Sequence, residues 1–314
     1  MAAYLVRRFG LMLLTLFGIS VVIFLMLRVA PGNIADVLFD AAGFVDPAQK
    51  ASLERDLGLD QPLIVQYASW IDALARGDLG HSYVTDRSAA AEILPRIPIS
   101  ATLAGLALSF AVLIGVPLGV LSAVRQNSLL DYIVRVVSLS GLSVPPFWLG
   151  LLVMMGFVAW FGTIPIFSAA PQDLVATVTM YAVPAAIVGV PNSAFLMRLT
   201  RSSMLEVLRQ DYIRTARAKG LSERVVVYRH ALRNAMIPVM TVLGLQLGAL
   251  LAGAIVTETI FSWPGMGRQF IQATASFDYP VLMGILIVTS LIVVIANLVA
   301  DVAYAIVDPR VKYD

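Results

Sequence analysis

Long apolar runs dominate this sequence, and they restrict it to the folds that a lipid bilayer accepts. Six of them are close to the ~20 residues that a helix needs to cross the hydrocarbon core. Charged residues make up only 13% of the chain, against about 25% in soluble proteins. Because a helix satisfies its own backbone hydrogen bonds in lipid, the pattern predicts an all-α polytopic membrane protein. The predicted spans are 9–27, 99–124, 133–161, 175–197, 235–257 and 281–299.

The first run follows Arg7 and Arg8, which predicts a helix that starts on the cytoplasmic side. A signal peptide also begins with positive charge. Its apolar core is only about 7–15 residues long, however, and the run here is longer. With six spans, we expect both chain termini to be cytoplasmic.

Residues 31–97 form the long polar region between the first two spans. They carry more acidic than basic side chains, which is typical of an external loop. Helix start and stop signals predict one helix over 47–57 and a second from Pro62 to about Ala75. The sequence therefore predicts an external helical insert.

Two of the predicted spans contain prolines at positions where a helix is disturbed. Pro145 and Pro146 predict a break of the hydrogen-bond ladder within the third span, and Pro184 and Pro191 predict a kink in the fourth. Such breaks are tolerated where neighbouring helices or a water-lined cavity satisfy the freed backbone groups. The aromatic pair 147–148 follows the break, and either lines a path or, more commonly for aromatic rings, packs between helices.

Residues 202–238, here called the basic segment, lie between the fourth and fifth spans and carry more basic than acidic side chains. Ser203 with Glu206 fits a capping box, so a helix is predicted to begin there, and Gly220 is placed to end it in a left-handed conformation. A second helix is predicted from Ser222. Leu205, Leu208, Tyr212 and Ala216 recur at helical spacing and predict one apolar stripe. The segment is either a solvated loop that follows the positive-inside rule or a surface that a soluble partner grips.

Several functions lack the residues that they require. The chain has no cysteine, and its lysines, Lys50, Lys219 and Lys312, do not stand in a phosphate-binding loop. His81 and His230 belong to no metal-ligand motif and are expected to be ordinary surface or interface residues. Asp131, Arg135, Glu258 and Asp301 lie near predicted helix ends, and Glu258 and Asp301 are interpreted as interface or snorkelling residues.

The basic segment resembles the cytoplasmic loop of ABC-importer permeases. It is closest to the B-type permeases of dipeptide, oligopeptide and nickel uptake systems. Gly220 and Leu232 fit the general permease pattern, whereas Arg214 and Thr215 depart from it in the manner of the peptide permeases. Further matching stretches are LGLDQPL (57–63), GDLGHS (77–82), GLSVPPFWLG (141–150), ETIFSWPGMGR (258–268) and VDPR (307–310).

The resemblance implies the type I importer permease fold, organised as 1–30 with the first span, an external insert 31–97, and a core 98–314 that contains a coupling loop 199–234. It implies a non-catalytic permease in the bacterial inner membrane. Its partners would be a paralogous permease, one or two ABC ATPase subunits that bind ATP and Mg²⁺, and a solute-binding protein; the chain itself would bind no cofactor. The implied ATPase-coupling residues are Glu206, Arg209, Asp211, Tyr212, Arg214, Thr215, Ala216, Arg217, Ala218, Lys219, Gly220 and Leu221. Phe147, Trp148, Asn192 and Gln246 are expected to line the translocation path.

An ATP-independent secondary carrier or channel is the alternative, and inverted repeats would support it. An intramembrane hydrolase would require a nucleophile and base, and the sequence has no recognisable set.

Overall fold

The computed structural model describes residues 2–29, 55, 60–162 and 173–307. Within those ranges the chain is helical, which confirms the predicted all-α class. The helices are α1 (Ala2–Val29), α2 (Leu63–Ala75), α3 (Ala89–Ile93), α4 (Ile97–Val124), α5 (Leu129–Ser143), α6 (Pro146–Phe161), α7 (Leu174–Leu208), α8 (Asp211–Ala218), α9 (Glu223–Val225), α10 (Leu232–Ile260), α11 (Met266–Ala275) and α12 (Tyr279–Val307). A 3₁₀ turn, Leu94–Arg96, precedes α4, and a π-helix, Val226–Ala231, joins α9 to α10.

Each predicted span lies on one of these helices or, for the third, on a pair. Within the described residues, four stretches are long and apolar enough to cross a membrane, namely Val6–Met26, Ala89–Val124, Met180–Leu208 and Tyr279–Val299. Helices α5 and α6 meet the same criterion when they are taken together. The predicted span 235–257 lies within the 29 residues of α10. The chain is therefore a multi-pass membrane protein.

The pair α5 and α6 is broken where the prolines predict it. The two helices are bent by 99° relative to each other. Val144, which precedes Pro145, has an extended backbone with ψ 117°, as a residue before proline prefers. Pro146 opens α6, where its missing N–H has no intrahelical partner to lose. The third run is therefore two helices meeting at a corner.

Helix α7 runs through both of its prolines. Neither Pro184 nor Pro191 interrupts the helix, which continues for 35 residues from Leu174 to Leu208, and the predicted kink stays a prediction. Its first turn is capped by Asp173, whose carboxylate accepts from the backbone amide of Ala176 at 2.6 Å. At 1.5 Å per residue the helix is about 52 Å long, more than the ~30 Å hydrocarbon core. Its last turns therefore carry the chain beyond the predicted span.

The described chain divides into two compact units, and the larger comprises Ile99–Arg268 and Ile295–Asp314. Glycines on α4 allow α7 to approach closely. A Cβ added to Gly115 would lie 2.7 Å from the backbone oxygen of Ser193, and one added to Gly119 would lie 2.7 Å from Cβ of Thr200. The small residues of the second span therefore allow close helix packing.

Substituting Gly115 with alanine is expected to lower the stability of the larger unit by about 1–3 kcal/mol, because the methyl group would overlap a backbone oxygen. Gly105→Ala on the same helix is the matched control, since nothing lies within 4 Å of an added Cβ there. In a helix, alanine is favoured over glycine by up to about 1 kcal/mol. The thermal unfolding midpoints of the two purified variants should therefore shift in opposite directions. A Gly115→Ala protein as stable as the unsubstituted chain would contradict the close contact.

The smaller unit comprises Met1–Pro98 and Gln269–Val294. Within it, α2 packs against α1 through Tyr67, whose ring centroid lies 5.4 Å from that of Phe24. The Tyr67 hydroxyl also lies 2.8 Å from Oγ of Ser20. Helix α2 is the helix that Pro62 was predicted to open. The other predicted helix of the insert, 47–57, falls almost entirely outside the described residues.

The segment GDLGHS, 77–82, holds the start of α12 in the same unit. Gly77 and Gly80 have φ values of 79° and 87°, which glycine adopts without steric cost. These turns bring Ser82 to Asp278, and the buried hydroxyl donates to the Asp278 carboxylate. The motif therefore positions the residue that immediately precedes α12.

Candidate functional site

The basic segment begins on a continuous helix. Ser203 and Glu206 were predicted to open a helix, but both lie inside α7, which ends only at Leu208. The capping-box prediction is therefore wrong. Residues 202–208 contain no glycine or proline to stop the helix, so the fourth span simply continues. The helix ends where Gln210 turns extended, with ψ 149°.

Helix α8 follows at once and buries one short apolar face. Ile213 and Ala216 are buried, three positions apart. Tyr212 was predicted on the apolar stripe, but its side chain is 43% exposed and its hydroxyl accepts from Nδ2 of Asn234 at 2.8 Å. That assignment is therefore wrong, because the turn at 209–210 shifts the helical register. The spacing of Ile213 and Ala216 was the signal that identifies the buried face.

The buried face of α8 packs against four other elements. Ile213 and Ala216 belong to one apolar cluster with side chains of α4, α7, the π-helix and α10. The other members are Val120, Ala123, Met204, Val226, Val227, Ala231 and Ala235. Because packed side chains transmit displacement, a force on α8 acts on all of these elements.

The turn after α8 has the predicted geometry. Gly220 has φ 77°, in the left-handed region, and its amide donates to the Arg217 carbonyl at 2.9 Å. Ser222 then precedes α9, which confirms the predicted second helix. The Arg217 guanidinium bonds the Glu223 carboxylate at 2.7 and 3.3 Å. This pairing lowers the pKa of Glu223 and raises the pKa of Arg217, so both are charged at neutral pH and the pair closes the turn.

The remaining surface of the basic segment is exposed and predominantly cationic. Of the predicted coupling residues, Ala216 lies on the buried face and the others are exposed. Asp211 pairs with Arg214 at 3.0 Å, whereas Arg209 and Lys219 form no ion pair with any side chain that the structure describes. The surface is therefore suited to a protein surface that carries carboxylates. The coupling residues on it are Glu206, Arg209, Asp211, Tyr212, Arg214, Thr215, Arg217, Ala218, Lys219, Gly220 and Leu221.

The four predicted path residues lie on three helices. Phe147 and Trp148 occupy the first turn of α6 and are 49% and 48% exposed. Asn192, on α7, donates from Nδ2 to the Val188 carbonyl at 2.8 Å. Gln246, on α10, is only 9% exposed, and its Oε1 has no hydrogen-bond partner in the described part of the chain. No described hydrogen bond or ring contact joins the four, so their shared path stays a prediction.

Two acidic residues near helix ends form buried networks that the sequence did not predict. Asp131 bonds Arg201 across α5 and α7. Glu258 was interpreted as an interface or snorkelling residue, but it is 1% exposed and accepts from Ser100 Oγ at 2.6 Å. Because backbone amides at the start of α11 also hold its carboxylate, the side chain does not snorkel, and its position at the membrane interface stays a prediction. The side chain of Asp301 lies outside the described part of the structure.

The positions of the histidines and acids suggest no metal site in the described ranges. His81 is exposed, as predicted, and His230 is partly buried in the π-helix. Among the described residues, no group of three or more histidine or acidic side chains is placed to hold a metal ion.

The fold is that of the membrane subunits of type I ABC importers. An inward-facing structure of the MetNI methionine ABC transporter matches this chain with a TM-score of 0.55 at 18% identity, covering 69% of this chain and 96% of that one. A second crystal form gives the same TM-score at 16% identity, with 68% and 95% covered.

Residues 115–313 match the profile of the binding-protein-dependent transport system inner membrane component, and residues 1–104 match the N-terminal profile of the same membrane components. The chain belongs to this family of binding-protein-dependent transport system inner membrane components. It is thus a permease component of a multi-protein ABC transport system. The resemblance inferred from the motifs is confirmed.

Curated relatives match over the full length of the chain. The dipeptide transport system permease protein DppB of Alkalihalophilus pseudofirmus is 42% identical, with 100% of both chains covered. The di/tripeptide transport system permease protein DppB of Pseudomonas aeruginosa is 40% identical, covering 100% of this chain and 99% of the relative. The oligopeptide transport system permease protein AppB of Bacillus subtilis is 38% identical, with 100% of both covered.

Proposed function

We propose that this permease subunit forms half of the translocation path for dipeptides, oligopeptides or a related small solute. The observation that carries the proposal is the full-length similarity to permeases named for those substrates. The other half of the path would come from a paralogous permease. A solute-binding protein would deliver the solute, and choice among solutes would rest mostly on that protein.

The basic segment is the docking site for an ABC ATPase subunit in this proposal. Its exposed cationic face meets the ATPase, and its buried face, Ile213 with Ala216, rests on the membrane helices. ATP and Mg²⁺ bind the ATPase subunits, which hydrolyse ATP, so this chain has no catalytic role. When two ATPase subunits close on ATP, they move α8, and the membrane helices change from inward-facing to outward-facing. Such coupling requires that the two states of the permease favour different nucleotide states of the ATPase.

The proposed orientation follows the charge distribution. Arg7, Arg8 and the basic segment lie on the cytoplasmic side of the inner membrane, since cytoplasmic loops collect Lys and Arg. The acidic region 31–97 lies outside. Both termini are then cytoplasmic, and the basic segment is within reach of a cytoplasmic ATPase.

Reconstitution tests the proposed function. The chain, its paralogous permease and the ATPase subunits are co-purified and placed in liposomes with the solute-binding protein and a labelled dipeptide. Uptake is expected only when ATP is enclosed on the ATPase side. Uptake that continues without ATP, or a chain that purifies without ATPase subunits, would favour the secondary carrier or channel instead. A ligand panel measured on the binding protein then identifies the solute.

A further inference from the structure

Asp131, in the first turn of α5, is fully buried and joins three helices. Its Oδ1 accepts from Oγ of Ser122 on α4 at 2.6 Å and from Nε of Arg201 on α7 at 2.7 Å. Its Oδ2 accepts from Nη2 of Arg201 at 3.0 Å and from the backbone amide of Asn127 at 3.0 Å. Each carboxylate oxygen thus holds two donors, and α4, α5 and α7 meet on one charged group.

The backbones of α4 and α7 touch beside this carboxylate. A Cβ on Gly119 of α4 would lie 2.8 Å from the backbone oxygen of Met197 and 3.2 Å from the backbone nitrogen of Arg201. Rotation or sliding of α7 against α4 would therefore disturb this close contact. Any such movement would also break the two-point bond between Arg201 and Asp131, whose geometry is directional.

The Asp131–Arg201 ion pair lies next to the basic segment, because Arg201 immediately precedes residue 202. Arg201 precedes the end of α7 at Leu208 by about two helical turns. Only Arg209 and Gln210 separate that end from α8. Through Asp131 the ion pair also holds α5, which leads to the 99° corner at Pro145 and to α6. A displacement of α8 therefore reaches α7 through the apolar cluster that Ile213 shares with Met204. From α7 it reaches α4 and α5 through Arg201 and Asp131.

We propose that Asp131 and Arg201 are positioning residues that make α4, α5 and α7 move as one body when the basic segment is displaced. This inference rests on the proposed function, because it assigns how the pull on α8 reaches the membrane helices. Stability alone does not account for the pair, since apolar side chains of similar volume often stabilise a buried site equally well. A bidentate ion pair also holds α5 and α7 in one relative position. Helices that transmit a displacement need such a fixed position.

Breaking the Asp131–Arg201 ion pair is expected to uncouple peptide uptake from ATP hydrolysis. Asp131→Asn and Arg201→Met are placed in the reconstituted complex, and the number of peptides taken up per ATP hydrolysed is measured. This ratio is expected to fall by ~5-fold or more, in the range of ordinary coupling free energies, while each assembled complex still hydrolyses ATP. Gly119→Ala separates the same helices without changing a charge and is expected to lower the ratio as well.

Arg76→Ala is the matched control, because Arg76 forms an exposed ion pair with Asp72 at 2.5 Å in the other unit. Its uptake per ATP is expected to equal that of the unsubstituted complex. An unchanged ratio in the Asp131, Arg201 and Gly119 variants would overturn the inference. So would a loss of uptake and ATP hydrolysis in proportion to the amount of assembled complex, which indicates a purely structural pair. If the unsubstituted complex itself shows no ATP-dependent uptake, the proposed function fails instead.

Discussion

Glu258→Ala is expected to release the turn between α10 and α11 and to lower the stability of the larger unit by about 3–5 kcal/mol. The Glu258 carboxylate accepts from Ser100 Oγ at 2.6 Å and from the amides of Gly267 and Arg268 at 2.7 and 3.1 Å. Each buried donor left without a partner costs about 1–3 kcal/mol. Ser100 Oγ also accepts from the Met266 amide at 2.8 Å. Loss of the Glu258 carboxylate is therefore expected to weaken this hydrogen bond of the turn as well.

Hydrogen exchange of the amides of residues 266–268, with the thermal unfolding midpoint, measures this loss. Glu258→Gln keeps one carbonyl oxygen as an acceptor and is expected to be intermediate. Gly265→Ala should reproduce the defect, because its methyl group would overlap the Glu258 carboxylate. Thr259→Ala is the control, since its exposed hydroxyl bonds only the preceding helical turn, at the Ile255 carbonyl. Amides that stay as protected in Glu258→Ala as in Thr259→Ala would show that the carboxylate does not hold the turn.

The sequence predicted the features that depend on neighbouring residues. The corner at Pro145 follows from two consecutive residues without an N–H, and the left-handed Gly220 follows from the absence of Cβ. Run length alone predicted the spans on α1, α4, α7 and α12 and the bent pair of α5 and α6. That α10 crosses the membrane stays a prediction. The start of α2 at Pro62 and the second helix after Ser222 were also predicted correctly, because helix-start signals depend on neighbouring residues.

The features that were missed depend on contacts between distant residues. Asp131 and Arg201 are 70 positions apart, and Ser100 and Glu258 are 158 apart, so no local pattern indicates either pair. The capping box at Ser203 failed for a related reason. A Ser-x-x-Glu pattern fits both a helix start and the interior of a helix. Here the helix of the preceding apolar run continues through Ser203 and Glu206, so the pattern lies in a helix interior. The π-helix Val226–Ala231 has no sequence signal that we can identify.

Charge reversal on the basic segment is expected to have the largest functional effect. Arg209 and Lys219 are exposed and form no ion pair with the described side chains, so changing them leaves the internal contacts of the segment intact. Like charges brought together at a complementary interface cost several kcal/mol. Arg209→Glu with Lys219→Glu is therefore expected to weaken ATPase binding about 100-fold, and the corresponding double glutamine variant about tenfold. Binding of the detergent-purified permease to its ATPase subunits, titrated at several salt concentrations, measures both.

Salt dependence separates an electrostatic interface from a damaged fold. Added salt should weaken binding of the unsubstituted chain and have less effect on the double glutamine variant, because fewer charges remain to be screened. Arg217→Glu with Glu223→Arg reverses an internal pair while conserving net charge, so it should retain tighter binding than the double glutamate variant. Arg76→Glu, immediately after α2, is a charge reversal far from the segment in the sequence, and binding should not change. Equal affinities across the whole series, at every salt concentration, would mean that the cationic face of the basic segment does not touch the ATPase.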